Sequence, residues 1–306
     1  MCGKRWPIET RSEGCPASPG LRPAGRITDT GPVSELTIQK ITDFDGPELA
    51  PYRTMRRSAE HAREGIFVAE GEKIVRRLLQ SRFTVISLLV DERWLAEFRP
   101  LLETRPEPII VHLAKKELLE ALVGFDLFQG ALAIGKIPAP SGLDAVLAAA
   151  PQPRLLVAVD KIGNAENLGT LVRNCVAFGT QALLVGETSG SPFLRRAVRN
   201  SMGAIFDLPV IEAANLVESL HDLRQRGIRC LAAHPSARGK TLAQADFTGD
   251  CCIIFGNEGS GISPEVLAAC DEAVAIPMPP QVDSLNVAAA AAVFLYEASR
   301  QRGKME

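Results

Sequence analysis

The apolar positions of this chain fall into two patterns. Short blocks with no polar alternation read as buried strands: "IFVAEG" (66–71), "VISLLV" (85–90), "PIIVHL" (108–113) and "GALAIGKIP" (130–138). Between them, "EKIVRRLLQS" places Ile74, Val75, Leu78 and Leu79 on one helical face, and 115–123 predicts another helix. Residues 40–137 therefore predict a small α/β unit. From Arg154 the alternation becomes regular. Strands are predicted at 154–160, 182–186, 228–233, 251–256 and 272–278, and helices at 167–179, 191–204, 215–227, 263–270 and 285–301. Strands without period-2 polarity, spaced by helices, predict a parallel sheet covered on both faces. The Pro- and Ala-rich stretch 138–153 reads as a linker. Residues 1–38 are rich in Gly, Pro, Ser and Arg, show no periodicity and read as a disordered extension.

Composition changes this picture little. With 306 residues and 46% hydrophobic content there is material for about two domains. A net charge of −2 excludes a global basic field and leaves only local patches for nucleic acid. No apolar run approaches the ~18 residues of a membrane helix, and no apolar signal segment opens the chain. A cytoplasmic protein without a membrane partner is expected. The 7 cysteines form no CxxC pair and no zinc spacing, so they read as reduced structural residues, with no metal site.

In parallel sheets, ligands bind beyond the carboxyl ends of the strands. Three loops stand there: "DKIGNAENLG" (160–169), "GNEGSGIS" (256–263) and "PMPPQVDSLN" (277–286). The second lacks both GxxxxGK[ST] and GxGxxG, and Glu258 would repel phosphate. Alone, its glycines read as a turn that needs positive φ. Ser263 reads as the N-cap of the helix beginning at Pro264. In the third loop, prolines stiffen the chain, Ser284 offers an N-cap oxygen to the last helix, and Asn286 sits just inside it. On the helix after the first loop, Arg173 interrupts an apolar run and must reach solvent or pair. Arg195, Arg196 and Arg199 lie on one predicted helix. Contact with RNA phosphates and a solvated charged face both remain open for them.

Taken together, Asn167-x-Gly169-x3-Arg173-x4-Phe178-Gly179, Phe255-Gly256-Asn257-Glu258-Gly259-x-Gly261 and Ile276-Pro277-Met278-x5-Ser284-Leu285-Asn286-Val287 resemble the SpoU (TrmH-like) branch of the SPOUT RNA methyltransferases. The likeness spans 154–301. "FVAEGEKIVRRLLQS" and "FQGALAIGKIP" more weakly resemble the family's small substrate-binding domain of the L30e/L7Ae type. The resemblance implies a disordered extension (1–38), an RNA-binding domain (40–137), a linker (138–153) and a methyltransferase domain (154–303). The last would have a Rossmann-like parallel sheet and a deep trefoil knot, a feature sequence rules alone would not suggest. It implies transfer of a methyl group from S-adenosylmethionine to a ribose 2′-hydroxyl of tRNA or rRNA by a homodimer.

By motif match, Gly256, Ile276 and Leu285 clamp the cofactor, with Asn257, Gly261 and Met278 beside them. Arg173 is the catalytic arginine, and Asn167, Glu258, Ser284 and Asn286 complete the site. Guanidinium stays protonated, so Arg173 suits phosphate binding and alkoxide stabilisation better than proton abstraction. Two departures stand out. Ala165 occupies a position where the family usually has proline, and Pro280-Gln281 a segment that often has glycine. Two readings compete: a catalytically silent RNA-binding module, and an unrelated doubly wound nucleotide enzyme. The intact Arg173 and "SLN" speak against the first, and the missing phosphate loops against the second.

Overall fold

Two sheets follow one another along the chain. The computed structural model describes residues 36–123, 130–235 and 240–303. The first sheet contains β1 (Leu36–Lys40), β2 (Ile66–Glu70), β3 (Val85–Val90), β4 (Ile109–Leu113) and β5 (Ala131–Lys136), in the order β1-β4-β3-β5-β2. Strands β1, β4 and β3 are parallel, while β5 runs antiparallel to β3 and β2. Helices α1 (Ala50–Arg53), α2 (Ser58–Glu64), α3 (Glu72–Gln80), α4 (Glu92–Leu102) and α5 (Lys116–Val123) connect them. Helix α3 buries Ile74, Val75, Leu78 and Leu79, the face its periodicity predicts.

Strand β1 corrects the reading of 1–38 as disordered, since 36–38 are paired with β4. Residues 1–35 lie outside the described residues. As an edge strand, β1 is mostly exposed, so "LTIQK" carries no buried-strand pattern.

The second sheet is entirely parallel. It contains β6 (Leu155–Val159), β7 (Ala182–Val185), β8 (Val210–Glu212), β9 (Arg229–Ala233), β10 (Lys240–Thr241), β11 (Cys251–Phe255) and β12 (Glu272–Ala275), ordered β10-β12-β9-β11-β6-β7-β8. Its helices are α6 (Leu143–Ala149), α7 (Ala165–Ala177), α8 (Arg195–Asn200), α9 (Leu216–Gln225), α10 (Pro264–Ala269) and α11 (Val287–Gln301). Helix α6 lies inside the predicted linker, yet Val146 and Leu147 are buried against the sheet. Helix α8 is shorter than predicted. The backbone leaves it at Met202 and Gly203, both at positive φ, and a 3-10 turn follows at Ala204–Asp207. A Cβ on Gly169 would lie 2.3 Å from the Ala197 carbonyl oxygen, so α7 and α8 meet backbone to backbone. The four cysteines Cys175, Cys230, Cys251 and Cys252 are buried, and burial pushes the Cys175 and Cys230 thiols up to about 12.

The two sheets are not merely tethered; they belong to one compact unit. Phe67 and Phe83 pack on Phe193 and Phe206 with ring centroids 5.3 to 6.0 Å apart. Burying such rings contributes ~1.5–3 kcal/mol each. Glu70, buried at the end of β2, lies 2.7 Å from Arg195 and 3.1 Å from Arg199. Arg77 of α3 donates to the Met202 carbonyl at 3.1 Å and to Asp207 at 2.6 Å. Charge-assisted bonds of this kind fix orientation as well as adding energy.

Candidate functional site

The loops after β6, β11 and β12 converge at the carboxyl edge of the second sheet. Asp160 ends β6 and is buried. Its Oδ2 accepts from the Ser263 backbone N–H and from Ser263 Oγ, both at 2.7 Å. Ser263 does precede α10, but its hydroxyl donates to Asp160 rather than capping the helix. The sequence predicts a cap; instead the Ser263 hydroxyl and backbone N–H both turn to the buried carboxylate. Lys161 takes a left-handed φ of 57°, held by Asn257 Nδ2, which donates to its carbonyl at 3.0 Å.

The loop "GNEGSGIS" is a hydrogen-bonded turn. Asn257 and Gly261 exchange backbone bonds at 3.1 and 2.9 Å, and Asn257 Oδ1 accepts from the amides of Gly259 and Ser260. Gly261 supplies the positive φ expected of a turn glycine. Gly256 serves a different purpose. A Cβ there would lie 2.4 Å from the Gly261 carbonyl carbon and the Ile262 nitrogen, so only glycine lets the loop close on itself.

A relay of amides then ties this loop to two helices. Asn286, not Ser284, caps α11, its Oδ1 accepting from Ala288 N at 3.0 Å and Ala289 N at 3.3 Å. The helix begins two residues later than predicted, which leaves Ser284 free to face a cavity. Asn286 Nδ2 donates to Asn167 Oδ1 at 2.9 Å, and Asn167 Nδ2 donates to Glu258 Oε1. A carboxylate only accepts, so Glu258 fixes the orientation of both amides in turn. Glu258 thereby joins loop, α7 and α11.

The cavity measures about 260 Å³. Gly256, Asn257, Glu258, Gly261, Ile276, Met278, Ser284 and Leu285 all line it, with Phe255 and Phe294 below. Its charged lining residues are Glu258 and Asp283, and no lysine or arginine is among them. Ala233, His234 and Pro235 form a further wall that sequence reasoning missed. They lie at the carboxyl end of β9, and only the strand order, with β9 between β11 and β12, brings them there. Asn167 and Asn286 are not among the lining residues, and Asn286 is tied to Glu258 through Asn167.

The model of the SpoU rRNA Methylase family matches residues 154–296. A Mycobacterium tuberculosis protein described as an uncharacterised tRNA/rRNA methyltransferase is 33% identical over 273 residues, covering 87% of this chain and 93% of that protein. The chain belongs to the SpoU family of RNA methyltransferases. Among solved SpoU structures, AviRb of Streptomyces viridochromogenes aligns with 25% identity and a TM-score of 0.73, covering 85% of this chain and 98% of AviRb. AviRb has also been crystallised with AdoMet. A structure described as an RNA 2′-O ribose methyltransferase aligns with 26% identity and a TM-score of 0.70, covering 86% of this chain and 99% of that one.

Against this SpoU background the arginines divide. Arg173, one and a half turns beyond Asn167 on α7, is not among the residues lining the pocket. It opens on a separate cleft between the two sheets and makes no hydrogen bond or ion pair among the described residues. Arg195, open between RNA contact and a solvated face in the sequence, is neither fully solvated nor free: it is 17% exposed and taken up by Glu70. Arg199 shares Glu70 but reaches the cleft, and Arg196 is exposed with only Glu166 3.9 Å away. The SpoU departure at Ala165 has a simple reading. Ala165 is the first residue of α7 after the Asn164 cap, a position where proline and alanine both suit a helix start.

Proposed function

We propose that the chain is a ribose 2′-O-methyltransferase acting on tRNA or rRNA, with S-adenosylmethionine bound in the pocket of about 260 Å³. The observation that carries this reading is the pocket's wall chemistry. Glu258 and Asp283 as the charged lining, with no lysine or arginine among the lining residues, suit a cation-bearing adenosyl ligand rather than a phosphate. When bound, S-adenosylmethionine supplies a methyl group on a sulfonium centre. Backbone around Gly256, Ile276 and Leu285 holds the adenosyl portion, with Asn257, Gly261 and Met278 completing the wall. Glu258, Asn167 and Asn286 keep the loops in register, and Ser284 faces the reacting end. The neighbours named above support the same assignment.

Arg173 stabilises the alkoxide that develops on the ribose. Because Arg173 does not line its own chain's pocket, the reading includes a homodimer in which a second copy supplies it. Exposed Val293 and Tyr296 on α11 offer an apolar face for that pairing. The reading also keeps the trefoil knot. After β12 the chain returns to α7, where Asn174 Nδ2 donates to the Ala288 carbonyl at 2.8 Å. Residues 40–137 act as the RNA-recognising domain.

The test is methyl transfer from radiolabelled S-adenosylmethionine to total bacterial RNA, followed by alkaline hydrolysis. Label in alkali-resistant dinucleotides is expected, because a 2′-O-methyl blocks cleavage. Label on the bases instead would overturn the ribose assignment. Arg173→Ala should abolish transfer while calorimetric cofactor affinity stays near wild type. Mixing Arg173→Ala with Gly256→Ala should restore part of the activity through hybrid dimers, and no restoration would sink the shared site.

A further inference from the structure

The cleft that receives Arg173 measures about 760 Å³, within the ~300–1,000 Å³ typical of binding sites. Its far wall comes from the first sheet. Strands β2, β3 and β4 run in one direction, so α3, α4 and α5 all start at the same sheet edge. Each places a cation in its first two residues: Lys73, Arg93 and Lys116. Arg173 and Arg199 face them from α7 and α8.

The two acids among the cleft's lining residues, Glu72 and Asp91, are already engaged. Glu72 lies 3.5 Å from Arg76, and Asp91 caps α4 by accepting from Trp94 N at 3.0 Å. Lys73 and Arg173 have no hydrogen-bond or ion-pair partner among the described residues, Arg93 stacks on Trp94 at 4.9 Å, and Lys116 lies 3.3 Å from Glu120 one turn along α5 in a solvent-exposed pair of little energetic weight. Like charges on facing walls oppose docking of the two sheets. Yet the sheets are held together by Glu70, Arg195 and Arg77 beside the cleft. In a chain of net charge −2, this concentration of cations calls for a polyanion.

We propose that the ribose–phosphate backbone of the substrate RNA runs through this cleft, held by Lys73, Arg93 and Lys116 opposite Arg173. The assignment rests on the RNA reading above. It moves the main phosphate contacts from the α8 arginines to the three helix starts of the first sheet. Lysines and arginines set along one groove track a backbone without reading its bases, so selectivity for the modified nucleotide lies elsewhere.

The experiment is fluorescence anisotropy with fluorophore-labelled fragments of total bacterial RNA, at about 50 to 200 mM salt. Wild type is compared with Lys73→Gln/Lys116→Gln, which keeps much of the side-chain packing, and with Lys40→Gln as a charge control outside the cleft. Each lost phosphate contact on a single strand removes ~0.7 from the log–log salt slope, so the double variant should lose about 1.4. Its affinity near 100 mM salt should fall roughly 20-fold, with calorimetric S-adenosylmethionine affinity unchanged. A slope and affinity equal to those of wild type, or an equal loss in Lys40→Gln, overturns the cleft assignment. Binding needs no turnover. A wild-type chain that methylates no RNA therefore overturns the functional reading, while the anisotropy series still decides the cleft.

Discussion

Helix α7 serves both the pocket, through the bond from Asn167 to Glu258, and the cleft, through Arg173, yet the two are built on opposite principles. The pocket is made largely of backbone. Gly256 allows one strand of a turn to touch another, and an amide relay ending on Glu258 holds three segments in place. The cleft is made of long charged side chains whose groups have few partners, on a frame fixed by ion pairs beside it. A site of the first kind is preorganised and intolerant of added atoms. A site of the second kind tolerates substitution and responds to salt. Asn167 belongs to one and Arg173 to the other, six positions apart on a single helix.

The comparison can be broken most sharply at the frame. Glu70→Ala strands Arg195 in a poorly solvated position. Losing one partner of a buried pair costs ~3–5 kcal/mol, to be read by urea denaturation. RNA affinity should drop with it, while cofactor affinity in the folded fraction stays near wild type. If both fall together, the cavities are not independent. Next comes Gly256→Ala, where a methyl would meet backbone rather than a yielding side chain. Overpacking of this kind costs ~1–3 kcal/mol and should weaken cofactor binding by calorimetry while leaving the RNA salt slope alone.

A smaller effect tests the polarity of the relay. Asn167→Ala removes two hydrogen bonds worth ~0.5–1.5 kcal/mol each. Asn167→Asp sets a second carboxylate against Glu258 and should lower kcat further than alanine does. The reverse order would refute the donor assignment. The smallest effect concerns acid. Burial pushes the imidazoles of His61 and His112 in the first-sheet half below their ordinary pKa. The unfolded chain then binds more protons than the folded one, so stability is lost as pH falls through and below ~6.5. His112→Phe should shrink the drop in Tm between about pH 7 and pH 5.5. An unchanged drop would show that His112 does not contribute.

The architecture was largely legible in the sequence because buried parallel strands are continuous apolar runs. β6, β7, β9 and β11 stood out for that reason, as did the helical face of α3. β1 and β8 did not, since short or edge strands carry few buried positions. The glycines of the second loop were visible, but not that Gly256 and Gly261 serve different ends. Glu258 looked misplaced because its partner Asn167 lies 91 positions away, and Asn167's other partner, Asn286, lies 119 positions from Asn167. The wall from β9 depends on strand order, which no local pattern encodes. The arginines were the least legible. "RRAVR" could not show that Arg195 would be claimed by Glu70, more than a hundred residues earlier.

Gly169 has a consequence that reaches beyond its own helix. The missing methyl lets α8 seat directly on α7, and α8 carries the arginines that grip Glu70. The docking angle of the first half is therefore written partly into the second half's backbone. The halves are not interchangeable cassettes. A chimera that grafts another recognition half onto this one inherits an angle it did not evolve with. It must bring its own acid to the position of Glu70, or α8 must be replaced along with the graft.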